Sequence, residues 1–151
     1  MQPFILFNPS ASLIKSILRY QKHKHKSSLF SSLLEKIASI NYQFWKVITS
    51  SDIDKNVKIN ADLQLPHPNG ITIHEYVSIG TGCMIMQQVT IGQLSDGAVP
   101  IIGNGVYIGA GAKILGGIIV GDNARIGANA VVLINVPAGK TAVGVPAIIK
   151  H

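Results

Sequence analysis

His67 is the residue best placed for chemistry in this sequence, standing between Pro66 and Pro68. The two proline rings fix φ on either side and hold the imidazole in a stiff loop. Histidine is the side chain matched to general-base work near neutral pH. The other histidines read differently. His74 follows Ile73 as a surface residue of a regular repeat. His23 and His25 alternate with three lysines in KHKHK. Ammonium groups are poor neighbours for a metal ion, so no metal is expected. The lone cysteine, Cys83, cannot form an internal disulfide. It falls in a core slot, where it acts as a small hydrophobe. No GxSxG, CxxC, HExxH or GxxxxGK[ST] motif is present. One base without a nucleophile points to transfer of a group to a hydroxyl or amine, with no covalent enzyme intermediate.

A period of six must position this histidine. Ile73, Ile79, Ile85 and Ile91 form one run, and Ile102, Ile108, Ile114, Val120, Ile126 and Val132 a second. A residue small enough for a tight turn often follows, as at Gly80, Gly92, Gly103, Gly109, Gly121 and Gly127. Four places after each aliphatic lies another small or apolar residue, such as Val77, Cys83, Val106 or Ala112. A short-period repeat means a solenoid whose units bury side chains only against the units above and below. Six residues make one short strand and one turn, and three such units close a triangular coil. The expected fold is mainly β, a left-handed parallel β-helix of hexapeptide repeats with a short N-terminal α-helical segment.

The period begins near Asp52 with Ile53, Ile59 and Leu65, and it fails twice. Leu65 to Ile73 spans the sequence LPHPNGITI, two residues longer than one hexad. Between Ile91 and Ile102 the segment QLSDGAVP (93–100) forms an extra loop. Insertions in a repeat fold map to one face, often the binding face. The first break holds His67. The expected organisation is a helical segment over 1–50, the β-helix over 51–136 and an extended tail over 137–151.

Hydrophobic residues make up 47% of the chain and charged residues 13%. That composition excludes a disordered chain and suggests a buried subunit interface. No run approaches the ~18 apolar residues of a membrane span. The opening MQPFILFNPS lacks the basic region of a signal peptide. A cytoplasmic protein is expected. The net charge of +6 lies in residues 1–50, which hold seven basic residues and one acid; the rest of the chain is balanced. This segment reads either as a solvated helix face or as an attraction to an anionic partner. It matches no nucleic-acid-binding motif.

Asn8-Pro9-Ser10 offers a helix start, followed by Leu13, Ile14, Ile17 and Leu18 at helical spacing. KHKHK breaks the pattern as a connector. A second helix is expected from Ser27 or Ser28. Its apolar stripe (Leu29, Phe30, Leu33, Leu34, Ile37, Ile40, Phe44, Val47 and Ile48) should pack on the first helix and on the end of the coil. Tyr42 and Trp45 read as packing residues.

The run from Asp52 to Lys150 resembles the hexapeptide acyltransferases, and within them the serine acetyltransferase-like group. The matching stretches are LPHPNGITI, VTIG (89–92), PIIGNGVYIGAGAKILGG (100–117), IGANAVV (126–132) and VGVPA (143–147). The resemblance implies acetyl transfer from acetyl-CoA as co-substrate. His67 then matches the catalytic histidine that deprotonates the acceptor hydroxyl. Asp52 matches the aspartate that orients this histidine, and Glu75 a glutamate of the same neighbourhood. An oxyanion donor is expected from the backbone near Gly92 or Gln93. The resemblance also implies a homotrimer with CoA between subunits. Its pantetheine arm would lie along corners matching Ala110 and Ala128, with Lys113 and Lys150 near its phosphates.

Several positions depart from serine acetyltransferases. Those enzymes have Asp-His where this chain has Pro66-His67. They carry an Arg-His pair where it has Ala98 and Val99. Relatives often carry basic residues where it has Leu133, Ile134 and Ile148. An Arg–carboxylate grip is bidentate and has no alanine equivalent. LPHPNG with a short helical N-terminus resembles acetyltransferases of capsule and surface-polysaccharide clusters. The first expectation is therefore an O-acetyltransferase acting on a sugar hydroxyl of a bacterial surface polysaccharide or its precursor. The alternatives are a serine O-acetyltransferase of cysteine biosynthesis and a non-catalytic β-helix scaffold.

Overall fold

Each hexad contributes one inward aliphatic, most add one short strand, and those strands stack in parallel on three faces. The computed structural model describes residues 8–24 and 29–150. His25, His151 and the expected helix start at Ser27 or Ser28 lie outside them. Helices α1 (Pro9–His23) and α2 (Leu29–Thr49) come first. The strands follow: β1 (Asp52–Ile53), β2 (Thr72–Ile73), β3 (Ser78–Ile79), β4 (Met84–Ile85), β5 (Thr90–Gly92), β6 (Ile101–Ile102), β7 (Tyr107–Ile108), β8 (Lys113–Leu115), β9 (Ile119–Val120), β10 (Arg125–Ile126), β11 (Val131–Val132), β12 (Thr141–Val143) and β13 (Ile148–Lys150).

The sheets run β1-β2-β5-β8-β11, β3-β6-β9 and β4-β7-β10-β12-β13. The chain thus visits three faces in turn, and all pairings are parallel except β12 with β13. Register stacks the inward residues into columns. Ile53, Ile73, Ile91, Ile114 and Val132 form one, and Ile85, Ile108, Ile126 and Ala142 another, all essentially inaccessible to water. Each large aliphatic buried this way contributes about 1.5–3 kcal/mol relative to exposure. Cys83 lies in the same core. Burial pushes its thiol pKa up, as befits a small hydrophobe. Parallel pairing continues past Val136, because Ala142 of β12 keeps the inward slot against Ile126.

Both breaks are visible in the register. Asp52 pairs with Thr72, where the LPHPNG step lengthens one turn of the coil. Thr90 pairs with Lys113, where the 93–100 loop lengthens another. That loop folds back on the coil: a Cβ on Gly116 would lie 2.9 Å from Leu94 Cδ1, and one on Gly117 would lie 2.8 Å from Ala98 Cβ.

α1 starts as its sequence requires, with Asn8 Oδ1 accepting from Ala11 N and Pro9 in the first turn. It buries Leu13, Ile14 and Ile17 in the same core as Ile53 and Val57, and so covers the first turn of the coil. It runs through Lys22 to His23, two residues into the KHKHK segment.

α2 differs from expectation. Its buried residues are Ala38, Tyr42 and Thr49, with Trp45 partly buried against the core. The stripe expected to pack inward faces solvent instead: Phe30, Leu33, Ile37, Ile40, Phe44, Val47 and Ile48 are all exposed. Small Ala38 permits close approach on the inner side. Tyr42 completes that side by donating its hydroxyl to the Ile53 carbonyl at 2.9 Å.

Candidate active site

Outward residues of one face fall into register as Asp52, Thr72, Thr90 and Lys113. Directly after the inward isoleucines of β1, β2 and β5 come Asp54, His74 and Gly92. Asp52, Asp54, His74, Glu75, Gly92 and Gln93 share one cleft of about 400 Å³, with Leu115 in its wall. Asp54 Oδ1 accepts from Asn56 N at 2.7 Å, and Glu75 Oε2 accepts from Asn56 Nδ2 at 3.5 Å. Asn56 thereby ties two of the three carboxylates together. Tyr42 reaches the back of the same strand. Its phenol pKa is pushed up to about 12, mainly by burial and further by the charges of Asp52 and Asp54.

The loop that carries His67 is pinned from both sides. Ser10 Oγ donates to the Leu65 carbonyl at 2.5 Å. Ser51 Oγ donates to the Pro68 carbonyl at 3.2 Å and accepts from Ile71 N at 3.3 Å. On the next turn, Gln88 N donates to the Asn69 carbonyl at 2.9 Å, and Gln88 Nε2 donates to Asn69 Oδ1 at 2.8 Å. Gly70 has φ +63, and a Cβ there would meet the Gln88 amide at 2.5 Å. Only glycine lets Gln88 lie across the loop. Lys113 Nζ donates to the Gln88 carbonyl at 2.9 Å and to Thr90 Oγ1 at 3.1 Å, so Lys113 braces the same strut.

The sequence-derived residues separate into groups. Asp52, Glu75, Gly92 and Gln93 meet in the cleft. His67 lies outside its lining, exposed on the preceding loop, and its ring makes no hydrogen bond among the described residues. Asp52 is instead paired with Lys46, with Nζ–Oδ1 at 2.6 Å. The long turn explains this. Asp52 aligns with Thr72, so His67 remains on the loop ahead of β2. Ala110 and Ala128 stack on adjacent turns, with Asn129 N donating to the Ala110 carbonyl at 2.8 Å. Lys150 is exposed on β13, on a different sheet from Lys113. Ala98 and Val99 do not line the cleft; Val99 packs against the core.

Sequence reading missed Asp54, Thr90 and His74 as cleft residues. The signal was available. Each follows or precedes an inward isoleucine in hexads that stack directly.

A family model described as bacterial transferase hexapeptide (six repeats) matches residues 100–133. The serine acetyltransferase of Helicobacter pylori J99 is 39% identical over 133 residues, covering 86% of this chain and 74% of that protein. The serine acetyltransferase of Salmonella typhimurium is 48% identical over 99 residues, covering 64% of this chain and 36% of that one. Among solved structures, a serine acetyltransferase in complex with CoA superposes with a TM-score of 0.78 at 37% identity. The match covers 97% of this chain and 59% of that chain. Soybean serine acetyltransferase complexed with serine gives 0.76 at 31% identity, covering 94% and 56%. The chain therefore spans under two thirds of the length of these solved relatives. These likenesses overturn the expectation of a surface-polysaccharide O-acetyltransferase with a sugar acceptor. That expectation rests on LPHPNG, the short helical N-terminus and the absent Arg-His pair; Ala98 and Val99 sit in a loop that packs down on the coil.

Proposed function

The chain belongs to the serine acetyltransferase family of hexapeptide transferases, and from that premise we propose that it moves an acetyl group from acetyl-CoA to the hydroxyl of serine. The observation that carries this reading is the cleft beside the His67 loop. Asp52, Asp54 and Glu75 line it without an arginine. Three carboxylates suit an acceptor bearing an ammonium group better than a neutral sugar. The solved relatives in complex with CoA and with serine support the same pair of substrates.

In this mechanism His67 takes the serine hydroxyl proton as the oxygen attacks the thioester carbonyl. Backbone N–H groups at Gly92 or Gln93 receive the developing oxyanion. The protonated imidazole then returns its proton to the departing CoA thiolate. Asp52 orients the imidazole once it exchanges its Lys46 partner for His67. The stacked corners Ala110 and Ala128 give the pantetheine arm a run of backbone groups, with Lys150 near the nucleotide end. Lys113 acts through Gln88 on the His67 loop. A homotrimer with CoA between subunits belongs to the same proposal. Ile101 and Ile119, in register and half exposed, supply apolar surface for such a contact. The left-handed sense of the coil goes with it, supported by the hexapeptide pattern.

The test measures CoA release with L-serine, glycerol and oligosaccharide acceptors, for wild type and His67→Ala. Serine should be preferred, and the variant should lose roughly 10²–10⁴-fold in kcat. Wild-type rate in the variant would remove His67 as the base. An oligosaccharide preference would remove serine as the acceptor.

A further inference from the structure

The basic excess of residues 1–50 converges at one place between the helices. Ser12, Lys15 and Arg19 follow at steps of three and four residues, so they share one side of α1. Asn41, Phe44 and Trp45 share one side of α2 in the same way. Both sets line a single groove of about 340 Å³, a volume within the ~300–1,000 Å³ of small-molecule sites. Lys15 and Arg19 are exposed, and neither meets a carboxylate among the described residues. Lys46, by contrast, is held by Asp52. Glu35, the one acid of residues 1–50, lines a different hollow with Tyr20 and Lys55. The Ser12 hydroxyl and the Asn41 amide also make no side-chain hydrogen bond among the described residues. Phe44, 55% exposed, meets Trp45 edge to face, with ring centroids 5.2 Å apart. None of these six residues lines the cleft beside the His67 loop.

We propose that this groove binds a free nucleoside phosphate, with the phosphate between Lys15 and Arg19 and the base against Phe44 and Trp45. Residues one turn apart on a helix have Cβ atoms about 5–6 Å apart, so both cations can reach one phosphate. A phosphate monoester carries a charge of about −1.5 to −2, which answers two cations that no acid neutralises. A single carboxylate would leave one of them unanswered. The guanidinium of Arg19 adds parallel donors that fit phosphate oxygens. The aromatic end calls for a flat ring, and every base has a face that stacks on an aromatic side chain. Between the two ends, the Ser12 hydroxyl and the Asn41 amide can each donate and accept, which suits ribose hydroxyls. A phosphorylated sugar would use the cations and leave the rings idle. A membrane surface would do the same and would have no use for a groove between two helices. The volume takes one nucleotide and not a strand.

Trp45 is the only tryptophan of the chain, so its fluorescence reports on this groove. The experiment titrates the full chain with ADP, by fluorescence and by calorimetry. Binding should saturate with a Kd below ~1 mM and should weaken on raising salt to ~0.5 M. A Lys15→Met/Arg19→Met variant, with folding verified by circular dichroism, should bind at least ~10-fold more weakly. The same variant corrects for light absorbed by the adenine ring. Adenosine, which lacks the phosphate, and ribose 5-phosphate, which lacks the ring, should each bind at least ~10-fold more weakly than ADP. No saturable binding of ADP by calorimetry, or an unchanged Kd in the variant, overturns the proposal. Ribose 5-phosphate binding as tightly as ADP would remove the ring from the ligand and overturn it as well. Saturation by CoA and not by ADP would assign the groove to the acetyl donor instead of a free nucleotide. Binding to phosphatidylserine vesicles that depends on Lys15 and Arg19, without binding of ADP, would assign the cations to a membrane surface and overturn the nucleotide site.

Discussion

Replacing Lys46 with methionine should raise kcat, by an amount that follows from where Asp52 sits. Its carboxylate holds Lys46 Nζ at 2.6 Å, with side chains 62% and 33% exposed. In the proposed exchange this carboxylate leaves Lys46 to reach the His67 imidazole. Assembly of the catalytic pair therefore requires the Lys46 contact to open. An ion pair this exposed is worth about 0–1 kcal/mol. Removing it lowers the barrier by at most that amount, a rise in kcat of up to ~5-fold. Added salt should act in the same direction. Between low ionic strength and ~0.5 M, screening weakens an exposed pair. The wild-type kcat should therefore climb while that of Lys46→Met stays flat. The assay is CoA release at saturating acetyl-CoA and serine, in wild type, Lys46→Met, Asp52→Asn and the double variant. Asp52→Asn should lower kcat in both backgrounds, and more steeply where Lys46 is absent, because more Asp52 is then available to His67. A fall in kcat on removing Lys46, or no cost of Asp52→Asn in the Lys46→Met background, would refute the exchange.

Two further outcomes follow from the packing. Tyr42 ionises near pH 10 when unfolded, whereas in the folded protein its pKa is pushed up to about 12. Its contribution is therefore fully present below pH 10 and is lost as pH rises toward 12. Tyr42→Phe should cost about 1 kcal/mol at pH 8 for the lost hydrogen bond, and should flatten the decline between pH 10 and 12, read from denaturant midpoints. Gly109→Ala places a Cβ 2.7 Å from Ala128 N. Because the obstacle is backbone, it should destabilise by about 1–3 kcal/mol. It should also raise KM for acetyl-CoA more than for serine, since the Ala110 and Ala128 corners move apart. Equal changes in both KM values would separate those corners from CoA binding.

The coil was legible in the sequence because a solenoid interior is one-dimensional. Each hexad must fill the same slot, so Ile73, Ile91 and Ile114 report the fold without knowledge of distant contacts. The breaks were legible for the same reason, and the register locates both of them. What failed was anything that required choosing between two surfaces. α2 has two periodic sides. One bears Phe30, Leu33, Ile37 and Ile40; the other bears Ala38, Tyr42 and Trp45. Hydrophobicity favours the first, but proximity to α1 favours the side where alanine is small and a tyrosine hydroxyl can reach the Ile53 carbonyl. Sequence period gives the angle of a stripe and not the identity of its partner.

The same limit applies to the candidate site. His67 was conspicuous because two prolines flank it, whereas its relation to Asp52 depends on which residue faces Asp52 across the ladder. Thr72 does. The lengthened turn leaves His67 ahead of the strand and lets Lys46 claim the carboxylate. The sugar-acceptor expectation draws on both breaks, on LPHPNG in the first and on the absent Arg-His pair in the second. Two missing side chains at Ala98 and Val99 were weighed as a lost amino-acid grip, although that loop packs Leu94 and Ala98 over Gly116 and Gly117. Two carboxylates of the cleft stand just past β1 and β2 instead. Asp54 and Glu75 each occupy a position in the repeat that looks like ordinary coil surface until stacking brings them to one cleft.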